Sequence, residues 1–195
     1  MNLNKEYWQQ RYVNRQTGWD LGGVSPPIAA YADQLEDKDL KILLPGAGRG
    51  YEAEYLYRNG FEQLTVVDIA PYPLENLRER LPEAFPESRL VESDFFEFNE
   101  GPFDLVLEHT FFCALPPDLR PQYAEKMAHL LKDGGKLAGL LFDFPLTEEG
   151  PPFGGSREEY LRLFEPFFKI RILEEARNSI PPRAGRELFF IFEKK

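Results

Sequence analysis

Cys113 is the only cysteine in this chain. It cannot form an internal disulfide, which fits a reducing compartment. Histidine is nearly as scarce: His109 and His129 are the only two, so the search for a proton acceptor is short. Long apolar runs are missing, and no stretch approaches the roughly 20 residues of a membrane span. The opening "MNLNKEYWQQRY" lacks the basic-then-apolar order of a secretory signal, so a soluble, cytoplasmic protein is expected. Positive charge is in deficit, 23 Lys and Arg against 33 Asp and Glu, for a net charge of -10. Such a surface repels polyanions, so neither nucleic acid nor an anionic membrane is an expected partner and a small molecule is. At 195 residues and 43% hydrophobic content, the chain has room for one core and not for a separate substrate domain. A single domain over 1–195 is expected, with the oligomeric state left open and a monomer sufficient.

Short β-rich runs alternate with helical patterns. "DLKILLP", "QLTVVDI", "RLVESDF", "FDLVLEH", "KLAGLLFDF", "FKIRILEEA" and "ELFFIFEK" read as seven strands. Several are apolar almost throughout, as strands covered on both faces must be, which predicts a mostly parallel sheet with helices on both sides. "GYEAEYLYRNG" reads as a helix ended by Gly60. "LRPQYAEKMAHLLKDGG" puts Tyr123, Met127, Leu130 and Leu131 on one face and should stop at Gly134 and Gly135. The last two strands are separated only by the turn-rich "RNSIPPRAG", predicting an antiparallel hairpin at one end of the sheet. In the long loop "FPLTEEGPPFGGSREEY", Ser156 and Glu159 form a capping box for the next helix.

The stretch "LLPGAGRGYEAEYL" carries Gly46, Gly48 and Gly50 at a strand-to-helix turn. A dinucleotide fingerprint wants its third glycine in the sixth position, where Tyr51 stands. A Walker loop wants Gly-Lys followed by Ser or Thr, which is absent here. What remains is a ligand that approaches the backbone closely without a phosphate there, and S-adenosylmethionine, with its amino-acid tail, meets that condition. Asp68 ends the second strand, where an acid accepts from both ribose hydroxyls. Asp94 and Phe95 end the third, one placed to accept from an adenine amino group and the other to stack on the ring. Each has a plainer reading: a tight turn, a loop acid, a helix cap. Their joint occurrence in that order favours a Rossmann-like methyltransferase.

"YWQQRYVNRQTGWDLGGVSPPI", "LLPGAGRGYEAEYL", "VVDIAPYPLE", "FDLVLEHTFFCALPPDLRPQYAEKMAHLLKDGG" and "GPPFGGSREEYLRLF" together resemble the thiopurine S-methyltransferase family with its thiol and halide methyltransferase branch. The resemblance covers nearly the whole chain. It implies a seven-stranded methyltransferase fold, S-adenosylmethionine as donor with S-adenosylhomocysteine as product, and a soft nucleophile such as a thiol or halide as acceptor. It places Trp8, Tyr12, Trp19, Gly46, Asp68 and Glu108 at the donor. Where the thiopurine enzymes have Asp-Arg this chain has Glu108 and His109, so the arginine expected to meet a thiopurine is missing from that strand. "FFCAL" lies closer to the thiol and halide branch.

The chemistry agrees with that resemblance. A sulfonium donor is already activated, so the protein chiefly aligns the nucleophile and excludes water, and neither a metal nor a covalent nucleophile is needed. Its cation favours aromatic faces. Trp8 and Tyr12, four residues apart on a helix, with Trp19 beyond, supply them or else simply pack that helix. Phe111, Phe112 and Phe153 wall a substrate pocket or fill core. The N-terminal segment and the 144–156 loop are expected to close over the site. Cys113 reads as a small buried residue. His109, at the end of the fourth strand beside Glu108, is the candidate proton acceptor for a thiol, which reacts as its thiolate; the alternative is that it only orients its neighbours. His129 sits in a helical pattern and reads as solvated or packed. Other readings left open are a halide, selenium or tellurium methyltransferase, a small-molecule O- or N-methyltransferase, a non-catalytic S-adenosylmethionine-binding protein and a dinucleotide oxidoreductase.

Overall fold

A computed structural model describes residues 3–195. In chain order the elements are α1 (Lys5–Val13), α2 (Pro26–Ala32), β1 (Ile42–Pro45), α3 (Tyr51–Arg58), β2 (Leu64–Asp68), α4 (Pro71–Arg80) and β3 (Leu90–Glu92). They continue with β4 (Phe103–His109), α5 (Arg120–Leu130), β5 (Leu131–Phe142), α6 (Arg157–Phe164), β6 (Phe168–Glu175) and β7 (Glu187–Lys194). The seven strands form one sheet in the order β3-β2-β1-β4-β5-β7-β6. Pairings from β3 through β5 are parallel, and β7 runs antiparallel between β5 and β6. The expected hairpin is thus present, with its second strand slotted inside the first.

Every residue of β1 and β2 is buried, as a strand with helices on both faces requires. Alternation divides their side chains between two cores. Leu43, Val67 and Val106 join Tyr123, Met127 and Phe164 under α5 and α6. Leu44, Val66 and Leu107 join Ile28, Leu56 and Leu77 under α2, α3 and α4.

Helix ends follow local chemistry with two departures. After α3, Gly60 takes φ +88°; its N–H donates to Tyr57 O and that of Phe61 donates to Leu56 O, the two bonds of a Schellman motif. Helix α5, in contrast, stops at Leu130 rather than at the glycine pair. Leu131 is already extended and pairs with Phe103 of β4, and the ladder resumes at Leu105 and Lys136. Residues 132–135 form the intervening bulge, with Gly134 at φ +73°. Sheet pairing therefore overrides the helical period. The second departure is half a capping box: Ser156 Oγ accepts the Glu159 N–H, while the Glu159 carboxylate turns away to Arg120, 2.7 Å distant.

Candidate active site

The chain crosses from β1 to β2 in one direction and to β4 in the other, so the sheet has its topological switch point between β1 and β4. Just beyond the carboxyl ends of those strands opens a cavity of about 790 Å³. The glycine loop, Asp68, Asp94, Phe95 and His109 all line it, and α1 with the segment through Leu21 forms its other wall.

The three glycines do different work. All have positive φ, +56°, +52° and +68°, a region that side chains other than glycine rarely occupy. A Cβ at Gly46 would overlap the Phe111 ring. At Gly48 it would enter the cavity, 3.5 Å from the Tyr12 hydroxyl and 3.8 Å from Trp19 Nε1. Gly50 is not on the cavity wall; a Cβ there would press on Leu77 of α4, so its role is helix packing.

Asp68 is 7% exposed, accepting the N–H groups of Gly48 and Ala70 at 3.3 and 2.9 Å. Burial pushes its carboxyl up to about 6, against the pull of backbone N–H groups. A neighbouring pair of hydroxyl donors would complete it. Asp94 accepts the Phe96 N–H at 2.8 Å, so it shapes its own turn while facing the cavity. The Phe95 ring meets Phe111 edge-on at 5.2 Å. From the opposite wall Trp19 meets Trp8 at 5.6 Å and Tyr12 at 5.7 Å, edge to face. Sequence reasoning passed over Arg11. Its guanidinium lies within 5.8 Å of the Trp19 ring, and its Nε is buried with no hydrogen-bond partner.

Glu108 and His109 part company. Successive side chains of a strand face opposite ways, and Leu107 and His109 line the cavity while Glu108 does not. Glu108 is 1% exposed, accepting the N–H groups of Phe111 and Phe112 and the Tyr123 hydroxyl. Burial raises its carboxyl above the usual range, with Tyr123 and the two backbone donors opposing. It braces the turn after β4 from behind. That turn holds Thr110 at φ +64°, a conformation costing a β-branched residue about 1–3 kcal/mol.

His109 sits in an array that the sequence did not announce. Its Nδ1 lies 3.0 Å from Glu52 Oε1, and its Nε2 lies 3.2 Å from Arg183 Nη1. Arginine only donates, so Nε2 accepts and Nδ1 carries the proton to Glu52. Burial would raise the Glu52 carboxyl, but His109 and the Ser25 N–H outweigh it and hold it below the usual range. Arg183 also reaches Glu187 Oε1 at 3.1 Å and the Trp19 carbonyl at 2.9 Å. The β4 strand tip thus lacks an arginine, yet the β6–β7 link supplies one to the same place. Glu52 reads in sequence as a first-turn acid, and Arg183 as part of a turn.

Phe111 lines the cavity, whereas Phe112 and Phe153 do not. Phe112 is in the core, 5.0 Å from the Tyr123 ring. Phe153 is buried and its N–H donates to Cys113 O at 2.7 Å, so it anchors the loop while Pro151 and Pro152 face the cavity. Buried Arg120 ties that loop further, donating to Gly154 O and Glu159. The Cys113 thiol is raised by burial first and by Glu108 next. His129 is exposed on α5.

The described residues fit S-adenosylmethionine. A buried carboxylate with room for a diol, a glycine whose Cβ would enter the cradle and a cavity-lining arginine, Arg11, with no ion-pair partner among the described residues match a ribose, a close-lying chain and a carboxylate tail. The sequence profile of thiopurine S-methyltransferase (TPMT) matches residues 3–194. A probable thiol methyltransferase 2 of Arabidopsis thaliana is 32% identical over 185 residues, covering 92% of this chain and 81% of that protein. A thiocyanate methyltransferase 1 of Brassica oleracea is 30% identical over 186 residues, with the same coverage. In fold, a Burkholderia thailandensis 1,6-didemethyltoxoflavin-N1-methyltransferase superposes with TM-score 0.75 at 20% identity, over 98% of this chain and 87% of that one. On this sequence match and this fold, the chain belongs to the thiopurine S-methyltransferase family and is an S-adenosylmethionine-dependent methyltransferase.

Proposed function

We propose that the chain methylates a small thiol, with His109 as the proton acceptor. The observation that carries this reading is the ring of His109 on the cavity wall, its Nδ1–H held by Glu52 and its Nε2 lone pair turned toward Arg183. The donor supplies a methyl already activated on a sulfonium. With the donor bound, Asp68 would accept from the ribose hydroxyls, Asp94 from the adenine amino group, and Phe95 would pack against the ring. Arg11 would hold the carboxylate tail, and Trp8, Tyr12 and Trp19 would offer the sulfonium their aromatic faces.

On the acceptor side, the Arg183 N–H that His109 Nε2 accepts at rest shifts to the incoming sulfur, which frees Nε2 to take the thiol proton while Glu52 stabilises the charged ring. Arg183, already beside Nε2, faces the thiolate. The acceptor sulfur then bonds to the methyl carbon as the carbon–sulfonium bond breaks, and the electron pair of that bond stays on the departing sulfur. Phe111, Phe142, Pro151 and Pro152 keep water from the line of transfer. The names of the Arabidopsis and Brassica relatives support a thiol or an anion of similar softness. A halide or thiocyanate acceptor is the second reading, favoured by the Arg183 guanidinium. The reaction belongs in the cytoplasm, in keeping with one unpaired cysteine and a net charge of -10.

Labelled donor incubated with separate thiols, halides, thiocyanate and phenols tests the assignment. Labelled thioether as the main product supports it. Product from iodide or thiocyanate alone would replace it with the second reading, and product from nothing would leave a binding protein.

A further inference from the structure

We infer that Arg186 selects acceptors that carry a carboxylate close to their sulfur, so that the substrate class is a short mercaptocarboxylate rather than a neutral thiol. This rests on the thiol reading above. Four arginines line the cavity: Arg11, Arg49, Arg183 and Arg186. Arg49 is neutralised by Asp20 at 2.6 Å and Arg183 by Glu187 at 3.1 Å. Among the described residues, neither Arg11 nor Arg186 has a carboxylate within ion-pairing distance. The donor brings one carboxylate, and Arg11 beside Trp19 is placed to take it. That leaves one guanidinium on the wall with no anion of its own.

Arg186 stands at the acceptor end. Its backbone N–H donates to Arg183 O at 3.0 Å, so the two arginines occupy one tight turn. Each lies over a ring at the end of β5 or just after it: Arg183 over Phe142 at 5.4 Å, Arg186 over Phe144 at 4.7 Å. The two ring centroids are 5.1 Å apart. The β5 end lies three strands from Asp68 of β2, roughly 14 Å at ordinary strand spacing, which sets this pair apart from the ribose carboxylate. Arg183 touches His109, where the proton leaves the sulfur. Arg186, exposed at the cavity, lies over Phe144, the ring next to the one under Arg183. A molecule with a thiol at one end and a carboxylate a few bonds away spans that interval, its sulfur at His109 and its carboxylate on the planar fork of Arg186. A halide or a neutral thiol leaves the fork unused.

The test compares thioglycolate with mercaptoethanol, which differ at the end remote from sulfur. Wild type should favour thioglycolate in kcat/KM. Arg186→Gln should lower the thioglycolate-to-mercaptoethanol ratio of kcat/KM about tenfold or more, chiefly through KM, as loss of a binding contact does. Arg186→Lys, which keeps a point charge without the fork, should recover part of it. No wild-type preference, or an equal fall for both thiols in Arg186→Gln, overturns the inference while leaving the thiol reading intact. Turnover of neither thiol by wild type, with iodide methylated, overturns the thiol reading and this inference together.

Discussion

Glu52 Oε1 lies 3.0 Å from Nδ1 of His109, joining the first turn of α3 to the last residue of β4 across the cavity floor. Such a carboxylate–imidazole pair fixes one tautomer and leaves the far nitrogen as the acceptor.

Replacing Glu52 by Gln keeps an oxygen for the hydrogen bond and removes the charge that steadies a protonated ring. Turnover of a neutral thiol should fall about tenfold to 100-fold, with iodide much less affected. Stability adds a second readout. The Glu52 carboxyl is held below the usual range, so its contribution is present above that range and lost as pH falls through it. In urea titrations, the gap between wild type and Glu52→Gln should shrink below about pH 4. A gap that widened on acidification would contradict the assignment.

Asp68 titrates the other way. Its folded value near 6 lies above the ordinary carboxylate value, so the folded state binds more protons, and ligand-free stability falls as pH rises across that window. Asp68→Asn should therefore stabilise the ligand-free protein at neutral pH, by at most about 3 kcal/mol. It should also weaken S-adenosylhomocysteine binding by about 1.5–3 kcal/mol. Calorimetry of the wild type should show product affinity falling below about pH 6, and that slope should be absent in the variant. A variant that binds as tightly as wild type would place the ribose elsewhere.

Gly46→Ala forces an L side chain into φ +56° and into the Phe111 ring. A loss of about 1–3 kcal/mol in thermal or urea denaturation is expected, together with weaker product binding because Phe111 walls the cavity. Alanine tolerated at no cost would show that the loop relaxes.

Arg120 is 1% exposed and holds the 143–156 loop through Gly154 and Glu159. Arg120→Ala leaves Glu159 unpaired and should cost about 3 kcal/mol. Its KM for the acceptor should rise more than its dissociation constant for S-adenosylhomocysteine. Equal effects on both would mean that the loop closes over donor and acceptor alike.

Much of this was legible in the sequence. Strands β4 and β7 match the apolar runs residue for residue, because their central stretches, Leu105–Leu107 and Leu188–Phe192, are apolar throughout. The end of α5 was not legible: Leu131 fits the helical stripe as well as it fits the ladder, and only its pairing with Phe103 decides. Glu108 stands apart from the cavity because its carboxylate is taken up by the Phe111 and Phe112 N–H groups and the Tyr123 hydroxyl, partners that the strand pattern does not announce. Phe112 and Phe153 were ambiguous in kind, because an aromatic beside a glycine-rich loop serves wall or anchor equally well. Arg11, Glu52 and Arg183 stayed hidden because the partners that bring them into the site, the Trp19 ring, His109 and the Trp19 carbonyl, are not their helical or strand neighbours. Arg11 alone left a local signal, three residues after Trp8 on the same helical face.

The measurement that bears most directly on the central claim is methyl transfer by wild type and His109→Gln to a neutral thiol and to iodide. A thiol must lose a proton and iodide has none to lose. If His109 is the acceptor, the variant should be slower with the thiol by roughly 100-fold and close to wild type with iodide, with S-adenosylhomocysteine affinity nearly unchanged. Equal losses with both acceptors would contradict the account and leave His109 as a residue that shapes the pocket.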